Sequence, residues 1–301
     1  ISTRTSGTWT SSAYGFRNDY SYGDSIAGNF FSGHRYAMYM YSNQGSSSDT
    51  FYIVNNMIWG GTYSTANAVR FSSVDRVYFV GNSVNSTSSY NSSSYAAVEF
   101  SYCDDVSAFN NSIARPNGGY AIQYLYGARA NADHNNYYAP NSTSYLYYNG
   151  STYSSISAFN TGSGQGANSI SADPEYFSAT DLHTESMNLN NAGAKTPRFA
   201  MDYDGDPRPT SPDTDYDIGA DDYWLPDYDA DVVAINSTSF ASGNNTISVS
   251  IMNNGIKTWA STDTLYLEYS IDGGTAVKDT MLPSSTAPGA SINFDFTVPY
   301  N

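Results

Sequence analysis

The fold is decided by a stretch that reads Val77-Tyr-Phe-Val-Gly-Asn-Ser-Val84, because its second half recurs along the first half of the chain. Each copy has Gly or Asn, then Asn, then any residue, then an apolar residue. The second position of the five copies is Asn29, Asn56, Asn82, Asn111 and Asn136, so successive copies lie 25 to 29 residues apart. Such a period is typical of a protein whose repeats stack on one another.

A second signature, Ala followed by apolar, variable and apolar residues, precedes each copy. It is found at Ala13–Phe16, Ala37–Met40, Ala68–Phe71, Ala97–Phe100 and Ala121–Tyr124. A third apolar segment, such as Val77–Val80, lies between the two signatures. Each repeat therefore contains about three short strands with a period of two, and no segment has the period of an amphipathic helix.

Strands this short predict a parallel β-helix. A strand of three or four residues is not stable alone, so each must hydrogen-bond to its copy one repeat later. We therefore expect an all-β protein with a right-handed parallel β-helix, a pectate-lyase-like solenoid, over residues 1–178. A sixth, degenerate repeat is read from Tyr145 to Phe159. The recurring Asn residues are expected to form a structural column at a turn between sheets, because Asn tolerates left-handed backbone geometry.

The composition excludes several classes of partner. The chain has 12 Lys and Arg against 28 Asp and Glu, a formal net charge of −16, which repels nucleic acid and anionic membranes. No apolar run approaches the roughly 18 residues of a membrane-spanning helix. The single cysteine, Cys103, is expected to fill a core position. Few charged residues and many Ser, Thr, Asn and Tyr favour an exported, extracellular protein.

Five short motifs follow the repeats in a characteristic order. They are Ala172–Phe177, Asp181–His183, Ala192-Gly193, Asp202–Pro209 and Asp217–Tyr223. The ordered set resembles the end segment of bacterial right-handed β-helix proteins of the "choice-of-anchor Q" type. That resemblance implies a protein secreted or displayed on a bacterial cell surface, but no particular reaction. We expect residues 179–226 to form an acidic end segment that caps the β-helix.

Residues 227–301 have alternating strands with short turns and predict a separate antiparallel β-sandwich. Ser248–Trp259 resembles the core of CARDB-like immunoglobulin-fold modules of bacterial surface proteins. Such a sandwich needs about seven strands, and only five are apparent. We therefore expect an incomplete sandwich, with a native chain that continues past Asn301 or a neighbouring molecule that supplies the missing strand.

Clustered carboxylates are the candidates for catalysis. Enzymes that cleave polysaccharides also use this solenoid, and a glycosidase needs two or three carboxylates close together. Asp104 and Asp105 are the best candidates, with Glu99 or Asp75 one coil away, although adjacent aspartates are also typical of a solvated turn. A lyase is disfavoured because residues up to Phe177 contain no lysine that could serve as the base.

The acidic segment predicts a cation site. Asp202, Asp204 and Asp206 have a spacing like that of a calcium loop, and hard oxygen ligands favour Ca²⁺. The competing interpretation is a tight turn in which Arg208 pairs with an aspartate. Sites of O-glycosylation are a further hypothesis, because an Asp-Ser/Thr-apolar acceptor pattern is found at Ser25, Thr264 and Thr280.

Two functions remain open on the sequence alone. The first is a non-enzymatic extracellular structural or adhesive surface protein, either a subunit of an end-to-end filament or a segment of a larger adhesin. It would associate with itself through exposed strand edges. The alternative is a polysaccharide lyase or glycosidase, or a glycan-binding module, in which tyrosines such as Tyr39, Tyr63 and Tyr90 serve as sugar platforms.

Overall fold

The computed structural model describes residues 14–43, 49–61, 67–88, 95–196, 199–210, 215–223, 225–236 and 245–297. The chain forms two compact units, Ile1–Tyr223 and Trp224–Asn301. The first is a parallel β-helix and the second consists of antiparallel sheets, so the predicted all-β fold class is confirmed. Within the described ranges no helix is long and apolar enough to cross a membrane.

The β-helix is built from three parallel sheets. Sheet A contains β1 (Tyr14–Asp19), β4 (Tyr36–Tyr41), β7 (Val69–Ser72), β10 (Ala96–Ser101), β13 (Tyr120–Leu125) and β16 (Leu146–Tyr148). Sheet B contains β2 (Ser25–Ala27), β5 (Phe51–Val54), β8 (Val77–Val80), β11 (Val106–Phe109) and β14 (Ala130–Asp133). Sheet C contains β3 (Phe30–His34), β6 (Met57–Gly60), β9 (Ser83–Ser86), β12 (Ser112–Ala114) and β15 (Asn136–Tyr138).

Equivalent residues of successive repeats are hydrogen-bonded neighbours. Val77 pairs with Phe51 in the coil before it and with Val106 in the coil after it. Inward positions therefore stack into columns. Phe71 and Phe100 have ring centroids 4.8 Å apart, Phe100 and Tyr124 lie 5.4 Å apart, and all three rings are fully buried. Each coil is stable only because its neighbours complete its hydrogen bonds and its core.

A column of left-handed residues forms the turn between sheets B and C. These residues have φ between +51° and +62° and are Gly28, Asn55, Gly81, Asn110 and His134. Glycine and asparagine adopt this conformation most readily, which explains why the first position of the repeat is Gly or Asn. In the last coil this position is held by His134, so the fifth copy of the motif begins one residue earlier than the sequence indicated.

The residue after each left-handed position belongs to an asparagine ladder, which is buried from Asn56 onward. Four members are Asn29, Asn56, Asn82 and Asn111, as the repeat predicted, but the fifth is Asn135 and not Asn136. Each side-chain amide donates to the side-chain oxygen of the next member, over 3.2, 3.0, 3.0 and 2.9 Å in order. Asn136 instead binds both backbone groups of Ala172. The misassignment arose because two consecutive asparagines follow His134, and the second of them starts β15.

The sixth repeat is not a coil. After β16 the chain turns back in β17 (Ser151–Tyr153), which pairs antiparallel with β16, and continues into helix α1 (Ile156–Ser163). Ser155 accepts a bond from the Ala158 amide at the start of the helix, and Gly164 ends it with φ +73°. Fully buried Phe159 packs against the rings of Tyr137, Tyr148 and Tyr153. The helix therefore closes this end of the hydrophobic core.

We call residues 172–223 the return segment, and its described parts, 172–196, 199–210 and 215–223, run back along the side of the β-helix. The hydroxyl of Tyr176 donates to Ser112 in the fourth coil, and Asn85 in the third coil donates to the carbonyl of Ala179. Farther on, Asn55 of the second coil donates to the carbonyl of Met201. The acidic segment that was expected to cap the end of the solenoid is thus packed against its flank as far as residue 223.

The described residues of the second unit form two antiparallel sheets. One sheet has the order β18 (Ala230–Ile235), β19 (Ser248–Asn253), β22 (Ser291–Asp295), and the other pairs β20 (Leu265–Tyr269) with β21 (Val277–Met281). Val249, Ile251, Trp259 and Phe296 are buried between them, with Leu267 packed against this cluster. Alternate residues of β19 are buried, as its period of two predicts.

Candidate functional site

The outer face of sheet B has a pair of aromatic rings at its centre. Tyr52 of β5 and Tyr78 of β8 are register partners on adjacent coils, and their ring centroids lie 5.6 Å apart at 61°. Their neighbours in each strand point into the core, so the pleat turns both tyrosines outward. Both rings are half-buried. Ser25 and Ser107 continue the same column on either side.

One wall beside these rings is formed by the return segment. Phe199, Ala200 and Met201 border Tyr52, and we call the surface between them and the opposite rim the B-face groove. Phe199 is buried against Val54 and Val80, and the guanidinium of Arg208 lies 4.0 Å from its ring centroid. Phe199 is thus held against sheet B on one side and contacted by Arg208.

The opposite rim contains the carboxylates that the sequence suggested for catalysis. Asp105 pairs with Arg76 at 3.3 Å and borders the groove beside Tyr52 and Tyr78, while Asp104 pairs with Arg129 at 3.2 Å. Both aspartates are more than half exposed at a turn, and Asp105 has φ +59°. Each carboxylate therefore has its own arginine, an arrangement typical of a solvated turn.

Glu99 does not join these two aspartates. It lies on sheet A, where its carboxylate is 3.0 Å from Arg70 and accepts a bond of 2.6 Å from Asn67. Burial raises the pKa of Glu99, although Arg70 and the Asn67 bond oppose the shift. The carboxylate is part of a packed polar cluster, which gives it a structural role on sheet A.

The structure separates the three aspartates predicted to bind calcium. Asp202 is buried, and its two oxygens accept bonds from the amides of Asp206 and Asp222. Asp204 instead lies 3.0 Å from the imidazole Nε2 of His183. The only group of three potential ligand side chains among the described residues is His183, Asp204 and Asp221. The predicted group of Asp202, Asp204 and Asp206 is therefore not formed. A different group, His183, Asp204 and Asp221, comes together from three turns of the chain.

Arg208 holds the turn around Asp202 together. It is buried, pairs with Asp222 at 2.9 Å and donates to the carbonyls of Gly219 and Ala220 at 3.0 Å. Nearby Asp217 accepts bonds from the amides of Asn191 and Tyr223. Burial, reinforced by the charge of Asp222, raises the pKa of Asp217 to about 7 despite these bonds. The ion pair and hydrogen bonds of the acidic motifs thus stabilise this part of the return segment.

The three residues with the glycosylation pattern all lie at the surface. Ser25 is exposed on β2 and borders the B-face groove. Thr264 is exposed directly before β20, and Thr280 is exposed on β21. Exposure makes each hydroxyl accessible to a modifying enzyme, and modification itself stays a prediction.

The Tyr52–Tyr78 pair was missed from the sequence, whereas Tyr39 was suggested there as a sugar platform. Tyr52 and Tyr78 lie in alternating strands, but only the coil-on-coil register makes them neighbours. Tyr39 packs with Tyr14, Tyr36 and Tyr41 in a cluster on sheet A. Tyr63 and Tyr90, the other suggested platforms, lie outside the described residues.

Comparisons of the chain with protein-family models, with curated proteins and with solved structures give no match. The sheet topology itself defines the class of the protein. It is a parallel β-helix protein with an antiparallel second unit, and its β-helix has an aromatic groove on sheet B.

Proposed function

We propose that this chain is a non-enzymatic extracellular structural and adhesive protein whose β-helix binds polysaccharide along the B-face groove. The observation that carries the proposal is the Tyr52–Tyr78 pair, with Phe199–Met201 beside Tyr52 and the Arg76–Asp105 ion pair beside both rings. Sugar rings present apolar faces that pack on aromatic rings, and their hydroxyls need hydrogen-bonding partners. Arg76 and Asp105 supply both donors and acceptors at the rim of the groove.

Charge indicates which polysaccharides fit. The chain has a net charge of −16, so polymers rich in uronate or sulfate are repelled at long range. Close to the groove, the positive charge of Arg76 is offset by Asp105 at 3.3 Å. Uncharged polysaccharides are therefore the favoured ligands, and the long, regular sheet face suits an extended polymer.

A non-enzymatic role is supported by the state of the candidate carboxylates. Asp104 and Asp105 are separately paired with arginines, and burial places Glu99 in a different polar cluster. A glycosidase would require an acid and a second carboxylate facing one another across the sugar. The ion pairs at the rim provide hydrogen bonds to sugar hydroxyls without such an arrangement.

Surface display on a bacterium is the finer part of the proposal. The motifs Ala172–Phe177, Asp202–Pro209 and Asp217–Tyr223 resemble the choice-of-anchor Q type, and Ser248–Trp259 resembles a CARDB-like module. Both kinds of segment are found in proteins displayed by bacteria. We take this resemblance as support for an extracellular adhesin with a stiff β-helix.

Affinity electrophoresis in gels containing neutral or acidic polysaccharides tests the proposal. We expect the wild-type chain to be retarded by a neutral polymer, and Tyr52→Ala and Tyr78→Ala to weaken binding at least tenfold, because one aromatic face is lost. Tyr266→Ala is the matched control, since this tyrosine is 83% exposed in the second unit. Equal retardation of all variants, or no retardation of the wild type, would contradict the proposal.

The same polymers, incubated with the protein and assayed for new reducing ends and unsaturated products, test the enzymatic alternative. We expect no product to accumulate. Product that disappears in Asp104→Asn or Asp105→Asn would establish a polysaccharide-cleaving enzyme instead.

A further inference from the structure

His183, Asp204 and Asp221 lie at three different turns of the return segment, and their ligand atoms come together in one place. One imidazole nitrogen and two carboxylate oxygens all lie within 4.8 Å of one another. We infer that these three side chains form a binding site for a divalent transition-metal ion of the Zn²⁺ class. This inference is independent of the proposed polysaccharide binding.

Backbone bonds fix the turns that provide the ligands. The amide of Tyr203 donates to the carbonyl of Ala220 over 2.8 Å, which holds the turn of Asp204 against the residue before Asp221. The carboxylate of Asp202 accepts the amide of Asp206 and closes that turn from within. The turns that carry Asp204 and Asp221 are thus held by hydrogen bonds that do not involve His183.

His183 is oriented by a carboxylate outside the group of three ligands. Its Nδ1 bonds to the side chain of Asp181, while its Nε2 faces Asp204 at 3.0 Å. When the ring is neutral with its proton on Nδ1, the Nε2 lone pair points toward the proposed metal. Metal-binding histidines commonly have such a carboxylate on the far nitrogen, because it fixes the tautomer and strengthens the ligand.

The carboxylates around His183 carry negative charge that a bound cation would neutralise. Asp181, Asp204 and Asp221 surround the imidazole of His183, and Arg208, whose charge also acts on Asp221, is itself paired with Asp222 at 2.9 Å. Asp221 is half-buried, and within the described residues no group donates a hydrogen bond to its carboxylate. A half-buried carboxylate without a donor is unfavourable unless a cation or water occupies the space it faces.

The donor set selects the kind of metal. One imidazole nitrogen with two carboxylate oxygens suits Zn²⁺ and related transition metals, which are commonly bound by three protein ligands and one water. Ca²⁺ prefers six to eight oxygen ligands, whereas this site offers two carboxylate oxygens and one imidazole nitrogen. The calcium site predicted at Asp202, Asp204 and Asp206 therefore gives way to a transition-metal site that shares only Asp204.

Isothermal titration of the full chain with Zn²⁺ and with Ca²⁺, after removal of metals by chelation, tests the inference. We expect one Zn²⁺ to bind at pH 7.5 and to raise the unfolding temperature, and Ca²⁺ to bind at least tenfold more weakly. His183→Ala and Asp221→Asn should each weaken Zn²⁺ binding at least a hundredfold. Asp181→Asn should weaken it about 10- to 100-fold through the orientation of His183.

Asp206→Asn is the matched control. It removes one exposed carboxylate from the same turn but leaves the three ligands intact, so it should bind Zn²⁺ like the wild type. Circular dichroism without metal checks that each variant is folded. Absorption of the Co²⁺-substituted protein in the visible range provides a second readout, which His183→Ala should abolish. Absence of Zn²⁺ binding by the wild type, or unchanged binding by folded His183→Ala, would overturn the inference.

Discussion

At the residue scale, the recurring asparagine is selected by the number of bonds that its amide makes. Asn82 donates to the carbonyl of Ile53 in the preceding coil and to the side chain of Asn111 in the next. Its oxygen accepts both the backbone amide and the side-chain amide of Asn56. Aspartate lacks the donor, and glutamine has one methylene too many for the ladder. Only asparagine satisfies the buried backbone at this turn without a charge.

Replacement of Asn82 by alanine should therefore destabilise the β-helix strongly. Buried donors and acceptors in two neighbouring coils would lose their partners, at a cost of about 3 kcal/mol or more. Asn29→Ala is the control, because Asn29 is exposed at the start of the ladder and should cost less than about 1 kcal/mol. Urea unfolding followed by circular dichroism measures both. Equal costs for the two variants would show that the buried ladder does not stabilise the fold.

At the scale of elements, the return segment explains the residue found at three of the positions before the ladder, namely Asn55, Gly81 and Asn110. Asn110 exchanges two bonds with the backbone of Ala194, and Asn55 binds the carbonyl of Met201. At Gly81 the ring of Phe199 occupies the space that a side chain would need. Asn55 and Asn110 thus hold the segment by hydrogen bonds, and Gly81 admits an aromatic ring, whereas nothing lies within 4 Å of the corresponding place at Gly28.

Gly81→Ala should release this part of the return segment. An added Cβ would lie 1.6 Å from the Phe199 ring, and φ is +61°, so both packing and backbone oppose the change. We expect a loss of about 3 kcal/mol or more in stability. Gly127→Ala is the control, because its φ is also positive but nothing lies within 4 Å of the added atom.

Hydrogen exchange measured by mass spectrometry locates the effect of these two variants. Peptides that contain residues 199–210 should exchange faster in Gly81→Ala and at the wild-type rate in Gly127→Ala. Unchanged exchange in Gly81→Ala would mean that Phe199 does not hold the segment against sheet B.

At the scale of the whole molecule, the open edge of the second unit is the feature with consequences for assembly. Strand β18 pairs only with β19 in the described sheet, and it exposes Val232, Val233 and Ile235 by 57, 49 and 64%. An unpaired strand with exposed apolar residues favours addition of a strand from another molecule. Self-association through this edge stays a prediction.

The double variant Val232→Lys with Ile235→Lys should prevent that association, because it places two charges on the edge. Sedimentation velocity over a range of concentrations measures the effect. Leu282→Lys is the control, since Leu282 is 67% exposed but lies outside the strand, and it should associate like the wild type. A wild-type chain that stays monomeric at every concentration would rule out the edge as an interface.

The repeat alone determined the β-helix, because residues about 26 apart must become neighbours if strands of three or four residues are to be stable. It also determined that Asn29, Asn56, Asn82 and Asn111 share one environment, since the same side-chain hydrogen bond is repeated from coil to coil. The fifth member could not be assigned, because Asn135 and Asn136 are equivalent in sequence and only the left-handed turn at His134 separates them.

Only the tertiary structure decided where the return segment lies and what it builds. Its contacts join residues up to 146 positions apart, as in Asn55 with Met201, and no local pattern encodes such pairs. Helix α1 was not predicted because its few apolar residues also fit a strand. The residues that cap its two ends, Ser155 and Gly164, are recognised as caps only in the folded structure. The B-face groove and the cluster of His183, Asp204 and Asp221 follow from these long-range contacts, because each is assembled from side chains that are distant along the chain.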